Sequence, residues 1–150
     1  MTNVKIREAH DKDIIVILGL LYELGRPKPQ KDSDVKEFKK MIKTYISNPD
    51  KRIFVAETNG DTIVGMVSIM LLHRLNQINF EIYIPELVVV KKYQRCGIGK
   101  KLIESCIEFG KQKGTNRIKL ESGNQRKEAH EFYKKMGFEQ PSLSFTKNLK

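Results

Sequence analysis

The feature that most constrains the fold of this chain is a turn with two glycines, which lies between an apolar strand and an amphipathic helix. The β-branched run Val88–Val90 indicates a strand, and apolar residues recur at helical spacing from Ile98 to Phe109. Gly97 and Gly99 lack a Cβ atom, so the backbone between them can turn sharply. The first N–H groups of the helix have no intrahelical partner and lie at the positive end of the helix dipole. This arrangement predicts a binding site for a phosphate compound.

The glycine turn is also rich in positive charge. Five basic side chains and no acidic one surround it: Lys91, Lys92, Arg95, Lys100 and Lys101. Two common phosphate motifs are excluded. A mononucleotide P-loop needs Gly-x-x-x-x-Gly-Lys-Ser/Thr, which no window supplies, and a dinucleotide fingerprint needs a third glycine where Leu102 stands.

A different motif fits the turn. It reads Gln94-x-x-Gly97-x-Gly99 and follows a strand that ends Leu-Val-Val-Val. This pattern closely resembles the acetyl-CoA-binding motif of the GNAT superfamily of N-acetyltransferases. A second segment is similar to the late helix of that family and reads Arg126-x-x-Ala129-His130-x-Phe132-Tyr133-x-x-x-Gly137-Phe138. The resemblance covers nearly the whole chain, although the N-terminal third matches only as a pattern of elements.

The resemblance implies an α/β (α+β) fold. The expected core is a mixed, mostly antiparallel central sheet of six or seven strands flanked by about four helices. The fourth and fifth strands of such a sheet splay apart, and the pantetheine arm of acetyl-CoA pairs with free backbone groups in the cleft. The residues implied to contact acetyl-CoA are Leu87, Val88, Val89, Gln94, Arg95, Cys96, Gly97, Ile98, Gly99, Lys100, Asn124 and Tyr133.

Catalytic roles are implied for three side chains. Tyr133 matches the tyrosine that often serves this family as general acid toward the departing thiolate, with a core tyrosine as the alternative. Because an alkylamine is almost wholly protonated at neutral pH, a carboxylate acting directly or through water can help to remove its proton. Glu86 is the first candidate by motif position and Glu81 the second, with a solvated surface carboxylate as the alternative. The family's pattern places Val88 or Val89 N–H at the developing oxyanion.

The rest of the chain alternates helices and strands. A strand is predicted near 4–9, and helices are predicted near 11–24 and 33–48. Strands 53–57 and 62–72 should form a hairpin through Asn59-Gly60. Further strands are predicted in 78–90 and 117–121. Pro85 predicts a bulge or an unpaired edge inside 78–90. Gly114 is expected to end the helix after the glycine turn, and Gly137 the last helix, which Asn124 could cap. One or two weak strands are expected after Phe138.

Composition narrows the possible partners. The 150 residues carry a formal net charge of +10, which favours an anionic ligand, and length favours a single domain spanning 1–150. Residues 1–5 lack the apolar segment of a signal peptide and no apolar run reaches membrane length, so a cytoplasmic protein without a membrane partner is expected. The two cysteines and three scattered histidines show neither a disulfide framework nor metal-ligand spacing.

The sequence therefore predicts an acetyl-CoA-dependent N-acetyltransferase, free of metal, that transfers acetyl directly to a primary amine. The acceptor, a small molecule or a protein amine, stays open, and so does a homodimer. The alternative is a regulatory or nucleic-acid-binding module that holds acetyl-CoA as a signal. No helix-turn-helix pair or aromatic RNA-binding motif supports that alternative.

Overall fold

A computed structural model describes residues 3–150 of the chain; residues 1–2 of the N-terminal segment lie outside it. The chain divides into two compact units, one ending at Lys119 and the other spanning Leu120–Lys150. The first unit holds almost all of the sheet and three helices. In the described part of the chain, no helix combines the length and the apolar composition that a membrane span requires.

Three antiparallel strands begin the sheet: β1 (Val4–Glu8), β2 (Lys51–Thr58) and β3 (Ile63–Leu72). The predicted hairpin at Asn59-Gly60 joins β2 to β3, and Thr58 N–H donates to the Thr62 carbonyl at 2.9 Å. Ile53 and Val55 on one face of β2 join the core cluster, whereas Phe54 on the other face meets the ring of Phe109 edge-on. Successive side chains of β2 point to opposite faces, and both sets are packed here, so the sheet is covered on both faces.

Two helices cover the first face: α1 (Ile14–Glu23) and α2 (Asp32–Ser47). Their apolar stripes pack with the sheet in a buried cluster that includes Ile17, Leu18, Leu20, Ile42, Val55, Met66 and Val88. Asp13 is the N-cap residue of α1, but its side chain makes no hydrogen bond to that helix. A short 3-10 turn at Asp11–Asp13 precedes α1, and the Asp13 carboxylate accepts the N–H of His10 at 2.8 Å rather than an N–H of α1.

The long apolar run after β3 is divided into β4 (Glu81–Ile84) and β5 (Leu87–Val89), which both pair with β3. Between the two paired stretches, residues 68–69 of β3 face residues 84–86, so one extra residue bulges out at Pro85. Proline has no N–H for the ladder, which explains why the break falls there. The bulge predicted from Pro85 is present.

The sheet follows a path of five strands, β1-β2-β3-β4-β6, with β6 at Arg117–Leu120, and β5 pairs with β3 beside this path. The fold class agrees with the expectation, but a continuous sheet of six or seven strands is not matched. One reason is that residues 138–150, where further strands were expected, form no strand in the described chain. Their apolar side chains Leu143, Phe145 and Leu149 are exposed, so no buried face supports a strand there.

Helix α3 (Ile98–Lys113) covers the second face of the sheet and ends at Gly114, whose φ of 73° is left-handed as predicted. Leu102, Ile103 and Cys106 are fully buried. A close approach of α3, β3 and β5 depends on Gly65, because a Cβ there would lie 3.1 Å from the Val88 carbonyl oxygen. This contact fixes the start of α3 relative to β5.

The second unit contains α4 (Lys127–Lys135), which ends at Gly137 with a φ of 91°. The N-cap of α4 is Arg126, so the capping role considered for Asn124 is wrong. The reason is that Asn124 and Gln125 lie in a turn, in which Arg126 N–H donates to the Gly123 carbonyl, so that the helix begins only after Arg126. The aromatic rings of Phe132, Tyr133 and Phe138 form an edge-on cluster in this unit.

Candidate active site

The glycine turn has the backbone geometry of an anion site. Gly97 is the N-cap of α3 with φ 82° and ψ 6°, and Arg95 is also left-handed at φ 63°. In the described chain no side chain caps α3, whose first turn contains no acidic residue. The N–H groups at the start of α3 therefore point out of the turn with the positive end of the helix dipole behind them. Lys100 adds an exposed ammonium, 4.0 Å from Glu104.

Strand β5 presents a backbone edge close to this turn whose N–H groups meet no hydrogen-bond partner among the described residues. Ser68 N–H donates to the Glu86 carbonyl and Val90 N–H donates to the Val64 carbonyl, both at 2.9 Å, so Glu86 and Val90 face β3. In an antiparallel ladder the backbone groups of alternate residues face the same neighbour. Val88 consequently faces β3 too, while the N–H groups of Leu87 and Val89 face away from it.

Gln94 connects the turn to β5. Its side-chain amide donates to the Val89 carbonyl at 3.0 Å, which also confirms that Val89 faces away from β3. The side chain of the motif glutamine thus links the turn to β5. Cys96, two residues on, is an exposed free thiol.

The carboxylate of Glu86 lies at the bulge between β4 and β5 and is held by Ser68. The Ser68 hydroxyl donates to Glu86 Oε1 and accepts the Glu86 N–H at 3.0 Å. One of the two main-chain hydrogen bonds of this pair is kept, because Ser68 N–H still donates to the Glu86 carbonyl. In the other, the Ser68 hydroxyl replaces the main-chain carbonyl as acceptor at the bulge. Ser68 is 2% exposed, so the Glu86 side chain is anchored from the protein interior.

Two further side chains from the helices surround Glu86. Arg26, after the end of α1, places Nη2 3.6 Å from Glu86 Oε2 and donates to the Pro85 carbonyl at 2.9 Å. Tyr45 of α2 donates its hydroxyl to the Ile69 carbonyl at 2.9 Å. Burial, opposed by the Ser68 hydroxyl and aided by the charge of Glu86, raises the pKa of Tyr45, so this phenol keeps its proton at neutral pH.

Sequence reasoning did not identify Ser68, Tyr45 or Arg26. One signal was present for Ser68, the polar residue in the apolar run Ile63–Leu72. Its significance depends on lying opposite the bulge at Pro85, which requires the register of β3. Arg26 and Tyr45 lie far from Glu86 in sequence, and only the packing of the helices brings them to it.

Glu81, the second carboxylate considered as a base, has a different environment. It is 4% exposed, and each oxygen faces an arginine: Oε2 lies 3.2 Å from Arg74 and Oε1 lies 3.4 Å from Arg117. A carboxylate paired on both oxygens is suited to joining β4 to its neighbours. Of the two glutamates, Glu86 has the more accessible carboxylate, with its side chain 24% exposed.

Tyr133 is half-buried in α4 of the second unit, and its ring meets Phe132 and Phe138 with centroid distances of 5.3 and 5.8 Å. Burial raises the pKa of Tyr133, against a smaller opposite effect of Arg126, so its hydroxyl remains a proton donor at neutral pH. Asn124 is exposed in the turn before α4. Ser122, which sequence reasoning missed, has a buried hydroxyl oxygen that meets no hydrogen-bond partner among the described residues.

Comparison with known proteins identifies the family. The model of the acetyltransferase (GNAT) family matches residues 18–138, which is most of the chain. The chain belongs to the GNAT acetyltransferase family. It is 28% identical over 145 residues to the aminoalkylphosphonate N-acetyltransferase of Salmonella typhimurium, covering 97% of this chain and 91% of that protein. It spans about half the length of several other curated N-acetyltransferases that it matches, 45–47% of each.

Solved structures agree on the GNAT fold. A protein from Bacillus halodurans described as a transcriptional regulator superposes with a TM-score of 0.87 at 25% identity, covering 98% of this chain and all of that one. An aminoglycoside N-acetyltransferase in complex with CoA has a TM-score of 0.84 at 16% identity, covering 100% of this chain and 97% of that one. At that identity the second likeness concerns the fold alone.

The GNAT family uses acetyl-CoA, and the residues of this chain fit such a ligand. The open N-terminus of α3 with its left-handed Gly97 suits a pyrophosphate, and the outward N–H groups of Leu87 and Val89 suit carbonyl oxygens of an acetylated pantetheine arm. Among the described residues, no group of three or more His, Cys, Asp or Glu side chains could hold a metal ion.

Proposed function

We propose that this protein is an N-acetyltransferase that binds acetyl-CoA at residues 87–100 and acetylates a primary amine directly. One observation carries the proposal. The anchored carboxylate of Glu86 immediately precedes the free edge of β5, which leads into the anion-binding turn. A proton acceptor, a backbone hydrogen-bond donor and a phosphate cradle therefore occur on one continuous segment.

The proposed chemistry assigns one task to each group. Acetyl-CoA, when bound, supplies the acetyl group as a reactive thioester. Glu86 Oε2 accepts the proton that the acceptor ammonium must lose, directly or through a water molecule. The Val89 N–H donates to the carbonyl oxygen as negative charge develops on it, and we assign this role to Val89 rather than Val88 because Val88 faces β3. Tyr133 donates its hydroxyl proton to the departing thiolate.

The acceptor is best sought among small amines. The similar Salmonella protein is named for aminoalkylphosphonates, and this supports a small molecule over a protein amine. The charge of +10 further disfavours a polycationic acceptor. A cytoplasmic location, one functional domain and a homodimer stay predictions, as does the absence of a metal requirement.

A screen of small amines with acetyl-CoA, read as released thiol, tests the proposal. In the presence of an active acceptor, Glu86→Gln should lower kcat by about 10²–10³-fold, because the amide cannot accept the proton. Glu108→Gln, which removes an exposed carboxylate from α3, is the matched control and should keep the rate. Acetyl-CoA binding without thiol release from any amine would contradict the enzyme and favour the regulatory alternative.

A further inference from the structure

We propose that the acceptor is a small amine that also carries an anionic group, and that Arg26 binds this group while Glu86 takes the amine. The inference rests on the proposed function and adds the chemical class of the acceptor. It follows from how the two oxygens of Glu86 are used, from the free donors of Arg26 and from the way the backbone of Arg26 is fixed.

The two oxygens of Glu86 have different neighbours. Oε1 accepts the hydroxyl of buried Ser68 and is directed inward. Oε2 is the oxygen that faces Arg26, at 3.6 Å from Nη2. An amine that reaches Glu86 therefore meets Oε2, and in doing so it comes next to a guanidinium group.

Arg26 is only partly used by the protein. Its Nη2 donates to the Pro85 carbonyl at 2.9 Å, and the 3.6 Å separation from Glu86 is longer than a direct hydrogen bond. Neither Nε nor Nη1 donates to any of the described residues 3–150, and the side chain is 49% exposed. Since a guanidinium has five N–H donors in a planar fork, an edge suited to two oxygens of one anion is left.

The backbone of Arg26 is fixed by the end of α1. Gly25, at φ 95°, donates its N–H to the Tyr22 carbonyl, and Arg26 donates its N–H to the Leu21 carbonyl, both at 3.0 Å. These are the two hydrogen bonds of a Schellman motif, in which the residue after the left-handed glycine has a defined position. The fold thereby fixes the backbone from which the Arg26 side chain extends, and the hydrogen bond to the Pro85 carbonyl places the guanidinium beside the bulge.

A carboxylate and a guanidinium side by side match a ligand with both charges. The ammonium of such an acceptor approaches Glu86 Oε2, and a phosphonate, phosphate or carboxylate on a short spacer lies against Arg26. A diamine would instead bring its second positive charge toward the guanidinium. An alkylammonium without an anionic group would bind through Glu86 alone and leave the open edge of Arg26 unused.

Matched pairs of amines test the inference. The rates of acetylation of 2-aminoethylphosphonate and β-alanine are compared with those of propylamine and ethanolamine, each as kcat/KM. The wild type should favour the anionic amines, and Arg26→Gln should lower that preference by about 10–100-fold, mainly through KM, since it removes hydrogen bonds to a charged group. Arg26→Lys keeps the positive charge but loses the planar fork of donors, so its preference for anionic amines should lie between those of the wild type and Arg26→Gln.

Lys28→Gln is the control, because it removes the same charge two residues along the same loop. It should leave the preference for anionic amines unaltered. Equal or faster acetylation of propylamine and ethanolamine by the wild type would overturn the inference and leave the proposed function standing. An equal loss of preference in Arg26→Gln and Lys28→Gln would also overturn it, by showing a general charge effect. Failure to acetylate any amine would remove the proposed function and the inference together.

Discussion

Single backbone conformations determine whether the glycine turn can bind an anion. Gly97 has a φ of 82°, and nothing lies within 4 Å of the place where its Cβ would be. Space is therefore available for a side chain, and the constraint at Gly97 is conformational. A β-branched residue at a positive φ is strained, and it would also stand between an anion and the N–H groups at the start of α3.

Gly97→Val should consequently weaken acetyl-CoA binding by about tenfold or more, since the strain of a left-handed residue is roughly 1–2 kcal/mol and is relieved by distorting the turn. Lys100→Ala should have a smaller effect, because its ammonium is exposed and the backbone donors remain. Calorimetric titration of both folded variants with acetyl-CoA makes the comparison. Normal binding by folded Gly97→Val would show that the phosphate site lies elsewhere.

The residues around the turn and those around Glu86 differ in how far the sequence could identify them. Gln94, Gly97 and Gly99 are local: their spacing alone specifies a turn between a strand and a helix. The contacts of Glu86 are not local. Ser68 and Arg26 reach it from 18 and about 60 positions away, through a strand register and a helix end that no short motif encodes.

At the scale of elements, hydrophobic periodicity predicted α1, α2, α3 and the β2–β3 hairpin because their apolar faces are deep in the core. Pro85 likewise divided one apolar run into β4 and β5. The strands predicted after Phe138 are absent from the described chain, and this is a region where the apolar side chains are not buried. The alternating apolar residues after Phe138 resemble a strand, yet they are exposed, and strand propensity without a packed face does not specify a strand.

Helix α4 carries Tyr133, the residue on which the proposed catalysis, as distinct from binding, most depends. Tyr133→Phe keeps the ring that packs edge-on against Phe132 and Phe138, and the hydroxyl makes no hydrogen bond to the described residues of the chain. The melting temperature should therefore stay close to that of the wild type. If the hydroxyl protonates the departing thiolate, kcat should fall by about 10²–10³-fold with little change in acetyl-CoA affinity.

Turnover per folded molecule decides this prediction, measured with an acceptor found in the amine screen. Tyr22→Phe, on α1, is a control for loss of a phenol hydroxyl elsewhere in the chain. Undiminished turnover in Tyr133→Phe would remove Tyr133 from the mechanism and leave the thiolate to be protonated by solvent or by the acceptor.

The whole molecule has an excess of ten positive charges, which attracts any polyanion weakly. The proposed site at Gly97 and β5 would bind coenzyme A specifically, beyond that general attraction. NAD and ATP also carry phosphates and can interact with the lysines, but neither has a pantetheine arm to pair with the outward edge of β5. Thermal stability measures the difference, because a ligand that binds only the folded state stabilises it in proportion to the logarithm of its concentration over its dissociation constant.

At 100 times its dissociation constant, acetyl-CoA should stabilise the fold by about 2.7 kcal/mol, which corresponds to a rise in melting temperature of roughly 5–10 °C for a chain of this size. CoA should act similarly, since it shares the phosphates and the arm. NAD and ATP at the same concentration should raise the melting temperature much less, and added salt should remove what effect they have, because binding through exposed lysines is screened. Equal shifts from all four ligands would mean that the basic surface binds phosphates without selecting coenzyme A, and the assignment of residues 87–100 as its site would then be wrong.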